Sequence, residues 1–302
     1  MAHILTIPRV LAVASAAALA VSTTPLGAQQ REMRERHVYA AVTDSGGAAV
    51  SDLKPAEFKV REDGLAREVL RASPGLPPTH VALLVDDSDA AQQSVADLRA
   101  ALGSFVKKMF GGAEGLQMAY WTFGERPTRQ VDYTNSAATI EKSIARLFHR
   151  TGSGSYFLEA IQEATRDLRK REAQRPVIVA FVVESGPEFS STLHQAVADS
   201  LKAVNASLWT VVLQEGAQSL VAPERRERAI VLGDVTRDSG GDNKVVLSKQ
   251  ALESAFLNRA ALLTSRYDVV YARPDALIPP SKIEVETTRK DLRVLAPRWT
   301  GK

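Results

Sequence analysis

Short uninterrupted apolar runs alternate with amphipathic segments through the middle of the chain. Residues 81–85 and 177–183 are apolar without a break, residues 208–213 are apolar except for Thr210, and residues 116–123 form a weaker run of the same kind. Such runs are typical of parallel strands that are buried on both faces. In the segments between them, apolar residues recur at helical spacing. This alternation predicts a doubly wound α/β domain, a mostly parallel sheet flanked by helices, over residues 79–265.

The two ends of the chain have a different pattern, in which apolar and polar residues alternate as in antiparallel strands. Residues 37–73 contain strand-like segments separated by turn residues, and a Pro/Gly-rich linker follows them. Near the C terminus, segments 282–287 and 291–296 predict a final hairpin. Each end is too small to have a core of its own. We therefore expect residues 29–78 and 266–302 to pack together as a small antiparallel β unit, with the α/β domain inserted between them.

The first 28 residues have the pattern of a secretory signal peptide. Arg9 precedes an uncharged run of 12 residues, 10–21, which is shorter than the roughly 20 residues that a membrane-spanning helix needs. Ala28 is the expected last residue before cleavage. We therefore expect an exported protein, periplasmic or extracellular, that is not inserted in a membrane after cleavage. An uncleaved N-terminal anchor is the alternative that this pattern leaves open.

Composition excludes several classes of function. The 302 residues include no cysteine, so a disulfide framework, a thiolate zinc site and a cysteine nucleophile are all excluded. The 38 Lys and Arg against 35 Asp and Glu give a net charge of +3, and no long basic run indicates nucleic-acid binding. The sequence also lacks a His-Glu-x-x-His pair and a glycine-rich phosphate-binding loop. The mixed-charge segment 224–228 is interpreted as a solvated helix face.

Carboxylates follow two of the apolar runs. Asp86 and Asp87 come directly after the first run, and Glu184 directly after the run at 177–183. Ligands of open parallel sheets bind beyond the carboxyl ends of the strands, so these side chains are expected at one edge of the sheet. Ser155, in a Gly/Ser loop before a helix, is expected to join them. Carboxylate and hydroxyl oxygens suit a hard divalent cation such as Mg²⁺.

This combination resembles a von Willebrand factor type A (VWA) domain. That family has a metal-ion-dependent adhesion site made of Asp-x-Ser-x-Ser after the first strand, a Thr before a helix and an Asp after the fourth strand. The flanking segments 42–47, 53–64, 265–274 and 282–286 are similar to those of the VWFA-related acidobacterial-type family of exported proteins. The similarity covers nearly the whole mature chain, and the flanking segments are more specific than the metal motif.

The metal motif departs from the family pattern at three positions. Ala90 stands where the family has its second serine, Ser155 replaces the threonine, and Glu184 replaces the aspartate. Because Mg²⁺ demands near-octahedral geometry at roughly 2.0–2.1 Å, these changes predict weakened binding at a degenerate site. The metal ligands that the resemblance implies are Asp86, Ser88, Ser155 and Glu184, with Asp89 as an additional candidate. Mg²⁺ or another divalent cation is the cofactor implied, and a metal-free site is the alternative.

The expected function is that of a non-enzymatic binding or adhesion-type protein that contacts a protein partner through loops 86–92, 152–156 and 184–189. The resemblance implies that an acidic residue of the partner completes the metal coordination. The partner-binding residues expected in these loops are Asp87, Asp89, Tyr156 and Ser185. Two alternatives remain open. One is a structural component of an envelope assembly that uses the β unit and has an inactive, metal-free site. The other is a hydrolase with a metal-bound water, for which the sequence shows no nucleophile and base.

Overall fold

The computed structural model describes residues 33–75, 78–214, 223–274 and 278–299. The expected signal peptide lies outside the described residues. In chain order the strands are β1 (Met33–Thr43), β2 (Phe58–Glu62), β3 (Leu65–Arg67), β4 (Val69–Ser73), β5 (His80–Val85), β6 (Gln117–Thr122), β7 (Thr128–Thr134), β8 (Pro176–Val183), β9 (Ser207–Leu213), β10 (Asn243–Val246), β11 (Tyr267–Pro274), β12 (Ile283–Thr287) and β13 (Arg293–Leu295). The α-helices are α1 (Val95–Gly112), α2 (Ala137–Ile144), α3 (Phe157–Lys170), α4 (His194–Val204), α5 (Pro223–Ile230), α6 (Thr236–Asp238) and α7 (Leu252–Thr264). A π-helical turn, Val231–Val235, joins α5 to α6.

The centre of the molecule is a six-stranded sheet with the strand order β10-β9-β8-β5-β6-β7. All neighbouring strands are parallel except β7, which runs antiparallel to β6 at one edge. Successive residues of a strand point to opposite faces, so Leu83 packs in one core with α1, α2 and α7. Its neighbour Leu84 packs in the other core with α3 and α4. The predicted α/β fold class is therefore confirmed.

The ends of the chain form antiparallel sheets beside this domain. One sheet has the order β13-β1-β11-β4 and the other the order β12-β2-β3. The longest pairing joins β1 to β11, from Met33 opposite Pro274 to Ala40 opposite Tyr267. These strands enclose a third core, in which the rings of Phe58 and Tyr267 meet edge to face at 5.0 Å. The N- and C-terminal segments thus build the small β unit that the fold-class prediction included.

The predicted final hairpin is wrong. The two last strands do not pair with each other but with strands from the N-terminal segment: β12 pairs with β2, and β13 pairs with β1. The backbone groups of these short segments are satisfied by distant partners, so the alternating pattern identified the strands without identifying their neighbours.

The β unit and the α/β domain share a core. Ala41 of β1 and Leu295 of β13 are buried in the same cluster as the apolar face of α7. The Asn258 side chain on α7 also donates a hydrogen bond to the carbonyl oxygen of Gly47, at 2.8 Å. Among the described residues, no helix has the length and apolarity needed to cross a membrane.

Candidate functional site

The segments that follow β5 and β8, together with the loop before α3, lie at one edge of the central sheet. We call residues 86–92, 148–156 and 184–193 the loop edge. Backbone hydrogen bonds join its three segments. Asp89 donates to the Ser153 carbonyl at 3.4 Å, and Ser155 donates to the Pro187 carbonyl at 2.8 Å. The predicted site segments are therefore adjacent in the fold.

Asp86 joins the ends of the two central strands. Its side chain is fully buried. One carboxylate oxygen accepts the N–H of Ser88 at 3.0 Å and the other accepts the N–H of Val183 at 3.1 Å. Burial raises the pKa of the Asp86 carboxyl, and the hydrogen bonds and the positive charge of Arg228 oppose that increase. The carboxylate is therefore held in place by backbone donors from both strand ends.

Asp87 is also buried, and its side chain has a different set of partners from that of Asp86. Its two carboxylate oxygens accept the N–H of Gly124 at 2.6 Å and the Nε–H of Arg150 at 3.0 Å. Its carbonyl oxygen accepts the N–H of Arg150 at 2.8 Å. This predicted partner-binding residue is thus placed to connect the loops to one another.

Ser88 and Ser155, two of the predicted ligands, both have fully buried side chains. Neither hydroxyl has a hydrogen-bond partner among the described residues. A Cβ atom at Gly186 would lie 3.5 Å from the Ser88 hydroxyl oxygen and 3.1 Å from the Ala90 methyl. Ser88 and Ala90 therefore lie directly against the segment after β8.

The other predicted residues occupy the outer part of the loop edge. Asp89 is exposed, while Tyr156, Glu184 and Ser185 are half-buried. The Glu184 N–H donates to the carbonyl of Leu213 at the end of the neighbouring strand. The structure therefore fixes the backbone of Glu184 at the predicted strand end.

Two buried charged residues were not predicted as site residues: Glu188, within the loop edge, and Arg228, beneath it. One Arg228 nitrogen, Nη2, donates to the carbonyl oxygens of Glu184 at 2.8 Å and Gly186 at 3.1 Å. The other, Nη1, lies 3.6 Å from Oε2 of Glu188, and both side chains are buried. Burial raises the pKa of Glu188 to about 7, although the Arg228 charge opposes the increase.

The interpretation of segment 224–228 as a solvated helix face is wrong for Arg228, which is 3% exposed. The sequence contains a pattern that indicates the burial of Arg228. Arg228 precedes Val231, Leu232 and Val235 by three, four and seven residues, and all three are buried. That spacing places Arg228 on the apolar face of its helix.

Aromatic and aliphatic side chains of the loop edge are exposed around these buried polar side chains. Phe189 is 52% exposed, and its ring meets that of Tyr156 edge to face with 6.0 Å between centroids. Phe148 and Leu193 are exposed as well, and the Arg150 guanidinium lies over the Phe148 ring. Exposed aromatic side chains grouped around polar ones are typical of protein-binding surfaces.

The divalent cation that the VWA resemblance implies can be tested against these side chains. The two unpartnered hydroxyls of Ser88 and Ser155 are of the right chemical type. Arg228, however, already places a buried positive charge near the carboxylates of Asp86 and Glu188, and a second cation there would be repelled. The described residues also include no group of three or more His, Asp or Glu side chains that could hold a metal ion. The site therefore does not fit a divalent cation while Arg228 remains in place.

The fold and the position of the loop edge define a doubly wound α/β domain with loops grouped at the carboxyl ends of its strands. Residues 80–222 match the family model of the von Willebrand factor type A domain. The chain therefore contains a VWA domain, which begins at β5, and the predicted resemblance to that domain is confirmed. The narrower resemblance of the flanks to the acidobacterial-type family stays a prediction. No curated protein matches the sequence.

Three solved structures illustrate the similarity to known proteins. The SpRpn10 VWA domain matches with a TM-score of 0.46 and 18% identity, over 59% of this chain and 93% of that one. A von Willebrand factor type A protein from Catenulispora acidiphila matches with a TM-score of 0.48 and 11% identity, over 88% of this chain and 74% of that one. Proximal thread matrix protein 1 from the mussel byssus matches with a TM-score of 0.48 and 15% identity, over 64% of this chain and 49% of that one.

Proposed function

We propose that this chain is an exported, non-enzymatic binding protein that contacts a protein partner with the loop edge of its VWA domain. VWA domains commonly mediate protein–protein interaction. The observation that carries the proposal is the contact between the half-buried Tyr156 ring and the exposed Phe189 ring, beside buried polar side chains. Such amphipathic surfaces bury apolar area on binding while their hydrogen-bonded centre holds the loops in one shape.

Recognition at this surface rests on shape and on hydrogen bonds from the loops. Asp89 and Ser185 remain the proposed polar contacts, because neither side chain is fully buried. Asp87 is proposed to act indirectly, since Gly124 and Arg150 occupy its carboxylate. The coordination of a partner carboxylate by Mg²⁺ stays a prediction from the family resemblance, and the buried Arg228 argues against it.

Export is proposed on the pattern of the first 28 residues alone. Mass spectrometry of the protein recovered from cells that express the full chain tests it. Recovery outside the cytoplasm, with an N terminus close to residue 29, would support export, whereas an intact Met1 in a cytoplasmic product would contradict it.

A structural role in an envelope assembly is the second candidate, and a cleft beside the β unit favours it. The cleft has a volume of about 680 Å³, and its walls include Tyr39, Tyr271 and Trp299. The indole N–H of Trp299 is buried and has no hydrogen-bond partner among the described residues. This second surface is distinct from the loop edge, so the two candidates can be separated.

Site-specific photo-crosslinking separates them. A benzophenone analogue of phenylalanine is placed at Phe189 on the loop edge or at Leu65 on the β unit, residues that are 52% and 63% exposed. The full chain is expressed in its own cells, irradiated and examined by mass spectrometry. The proposal predicts a discrete crosslinked protein from position 189, reduced when Tyr156→Ser is added, and none from position 65. The reverse result would replace the proposal with the structural role.

A further inference from the structure

The Arg228 guanidinium lies under the loop edge in a fixed position. Arg228 belongs to the last turn of α5 and is 3% exposed. Its Nη2 donates to two carbonyl oxygens of the segment after β8, those of Glu184 and Gly186, at 2.8 and 3.1 Å. The charged group is therefore held against the loop that, by the family resemblance, supplies a metal ligand.

Buried carboxylates face this guanidinium. Oε2 of Glu188 lies 3.6 Å from Nη1 of Arg228 and has no hydrogen bond within the described part of the chain. The other oxygen, Oε1, accepts the N–H of Phe157 at 3.1 Å and of Ser190 at 3.3 Å. Arg228 also interacts electrostatically with Asp86. One arginine thus faces the acids of two loops and, through Glu188, the start of α3.

Arg228 supplies a positive charge to the buried carboxylates of the site from within the chain. Carboxylates removed from water need a nearby positive charge, because an isolated buried carboxylate is strongly unfavourable. The Asp86 and Glu188 side chains are both fully buried. A guanidinium remains protonated at any physiological pH, so Arg228 satisfies this need permanently. A divalent ion added beside Arg228 would be repelled by its guanidinium.

We infer that Arg228 is the resident cation of this site: it supplies from the chain itself the positive charge that a divalent ion would bring, and it keeps such ions out. This inference deepens the proposed function, on whose site it rests. The loop edge is then pre-organised without metal, and binding by its loops is insensitive to chelators.

The missing hydroxyl at Ala90 is the competing explanation for a site without metal, and Ala90→Ser tests it directly. If the lost serine were the cause, restoring it would restore metal binding while Arg228 is still present. If Arg228 is the cause, Ala90→Ser alone would change nothing. The second replacement, Arg228→Met, removes the charge and keeps the aliphatic length. The matched control is Arg226→Met, the same change at an exposed position of the same helix.

The experiment measures Mn²⁺ binding to the full chain by electron paramagnetic resonance. We expect no Asp86-dependent Mn²⁺ binding by the wild type, by Ala90→Ser, or by Ala90→Ser with Arg226→Met. Ala90→Ser with Arg228→Met should bind one Mn²⁺ per chain and lose it when Asp86→Asn is added. Circular dichroism checks that each variant is folded. Should the methionine variant fail to fold, Arg228→Gln, which removes the charge but retains a hydrogen-bond donor, takes its place.

Two results would overturn the inference. One is Mn²⁺ binding that depends on Asp86 in the wild type or in Ala90→Ser. The other is a folded Ala90→Ser variant without the Arg228 charge that binds no Mn²⁺. Neither result bears on whether a protein partner contacts the loop edge, since the crosslinking experiment reads that separately. Conversely, a loop edge without a partner would leave the metal titration unchanged.

Discussion

At the scale of single residues, the site contains residues whose position can be predicted from the sequence and residues whose position cannot. Asp86 lies at the end of a fully buried strand, and that position alone predicts its place at the ligand edge. For Arg228 and Glu188, in contrast, the position in the chain does not predict that they contact each other. A charged residue is buried only when its partner is in reach, and this pair is brought together from segments 40 residues apart, across two elements. The pairing depends on the completed fold, so the sequence could not show it.

Gly124 gives a prediction about the close approach of two loops. A Cβ at this position would lie 2.7 Å from the backbone carbonyl carbon of Asp87 and from the backbone nitrogen of Ser88. Because backbone atoms cannot move aside as a side chain can, Gly124→Ala is expected to destabilise the fold by about 1–3 kcal/mol. Urea denaturation measures the change.

The control for this substitution is Gly103→Ala in α1. No atom outside the local helix lies within 4 Å of a Cβ at Gly103, and alanine favours a helix by about 0.5–1 kcal/mol over glycine. Gly103→Ala should therefore leave stability unchanged or increase it. Equal losses in both variants would show that the contact with the Asp87 backbone is not what matters at Gly124.

Glu188 gives a prediction about pH. Its pKa is about 7 in the folded protein, raised mainly by burial from the ordinary 4.5. The folded state therefore binds more protons than the unfolded state between these values. The contribution of Glu188 to stability is fully present below pH 4.5 and is lost as pH rises through about 7.

The measurement is urea denaturation of the wild type and Glu188→Gln at about pH 5 and about pH 8. The wild type should lose on the order of 2 kcal/mol more than the variant over this range. Glu163, whose side chain is 42% exposed, serves as the control, and Glu163→Gln should follow the wild-type dependence. Parallel pH profiles for the wild type and Glu188→Gln would contradict the prediction.

At the scale of elements, the sequence predicted the strands that are buried on both faces and did not predict the edge strands of the central sheet. Strands β5, β8 and β9 are buried along nearly their whole length, so their apolar runs identify them. The edge strand β7 has the polar sequence Thr-Arg-Gln-Val-Asp-Tyr-Thr and no fully buried residue. The other edge strand, β10, has only four residues. Edge strands need neither an apolar run nor length, because they are covered on fewer sides.

Tyr271 gives a prediction about how the two antiparallel sheets are held together. Its hydroxyl on β11 donates to Oε1 of Glu62 on β2 at 2.8 Å, and both residues are buried. The other oxygen of Glu62 accepts Nε–H of Arg67 at 2.9 Å. Removing the hydroxyl leaves a buried carboxylate with one donor fewer, so Tyr271→Phe should cost about 2 kcal/mol.

Chemical denaturation of Tyr271→Phe measures this cost. Tyr156→Phe is the control, since Tyr156 is half-buried at the other edge of the molecule, and it should change stability by less than about 0.5 kcal/mol. If both variants lose the same amount, the link between β11 and β2 does not contribute as argued.

At the scale of the whole molecule, the chain returns to its beginning. The strands on either side of the VWA domain pair with each other, β1 with β11 and β2 with β12. The β unit is not separated from the domain by a gap in the core, because Ala41 and Leu295 belong to the cluster that packs under α7. Arg266, at the end of the domain, is also buried and lies over the ring of Tyr39 on β1. A pattern of alternating residues could predict that the ends pack together, but not that they share a core with the insertion.

This shared core predicts that the β unit and the VWA domain unfold as one cooperative unit. If the β unit opened alone, the buried faces of β1 and β13 would be exposed while α7 lost the residues packed against it, so partial opening is unfavourable.

Native-state hydrogen exchange followed by mass spectrometry tests this. Amides of β11 should exchange with the same dependence on denaturant as those of β8, the central strand of the domain. Val38→Ala, a substitution in the core of the β unit alone, should accelerate the slowest exchange in both strands equally. Faster exchange in β11, with β8 unchanged, would show instead that the β unit is an independently opening module, and that the loop edge is unaffected by what happens at the ends of the chain.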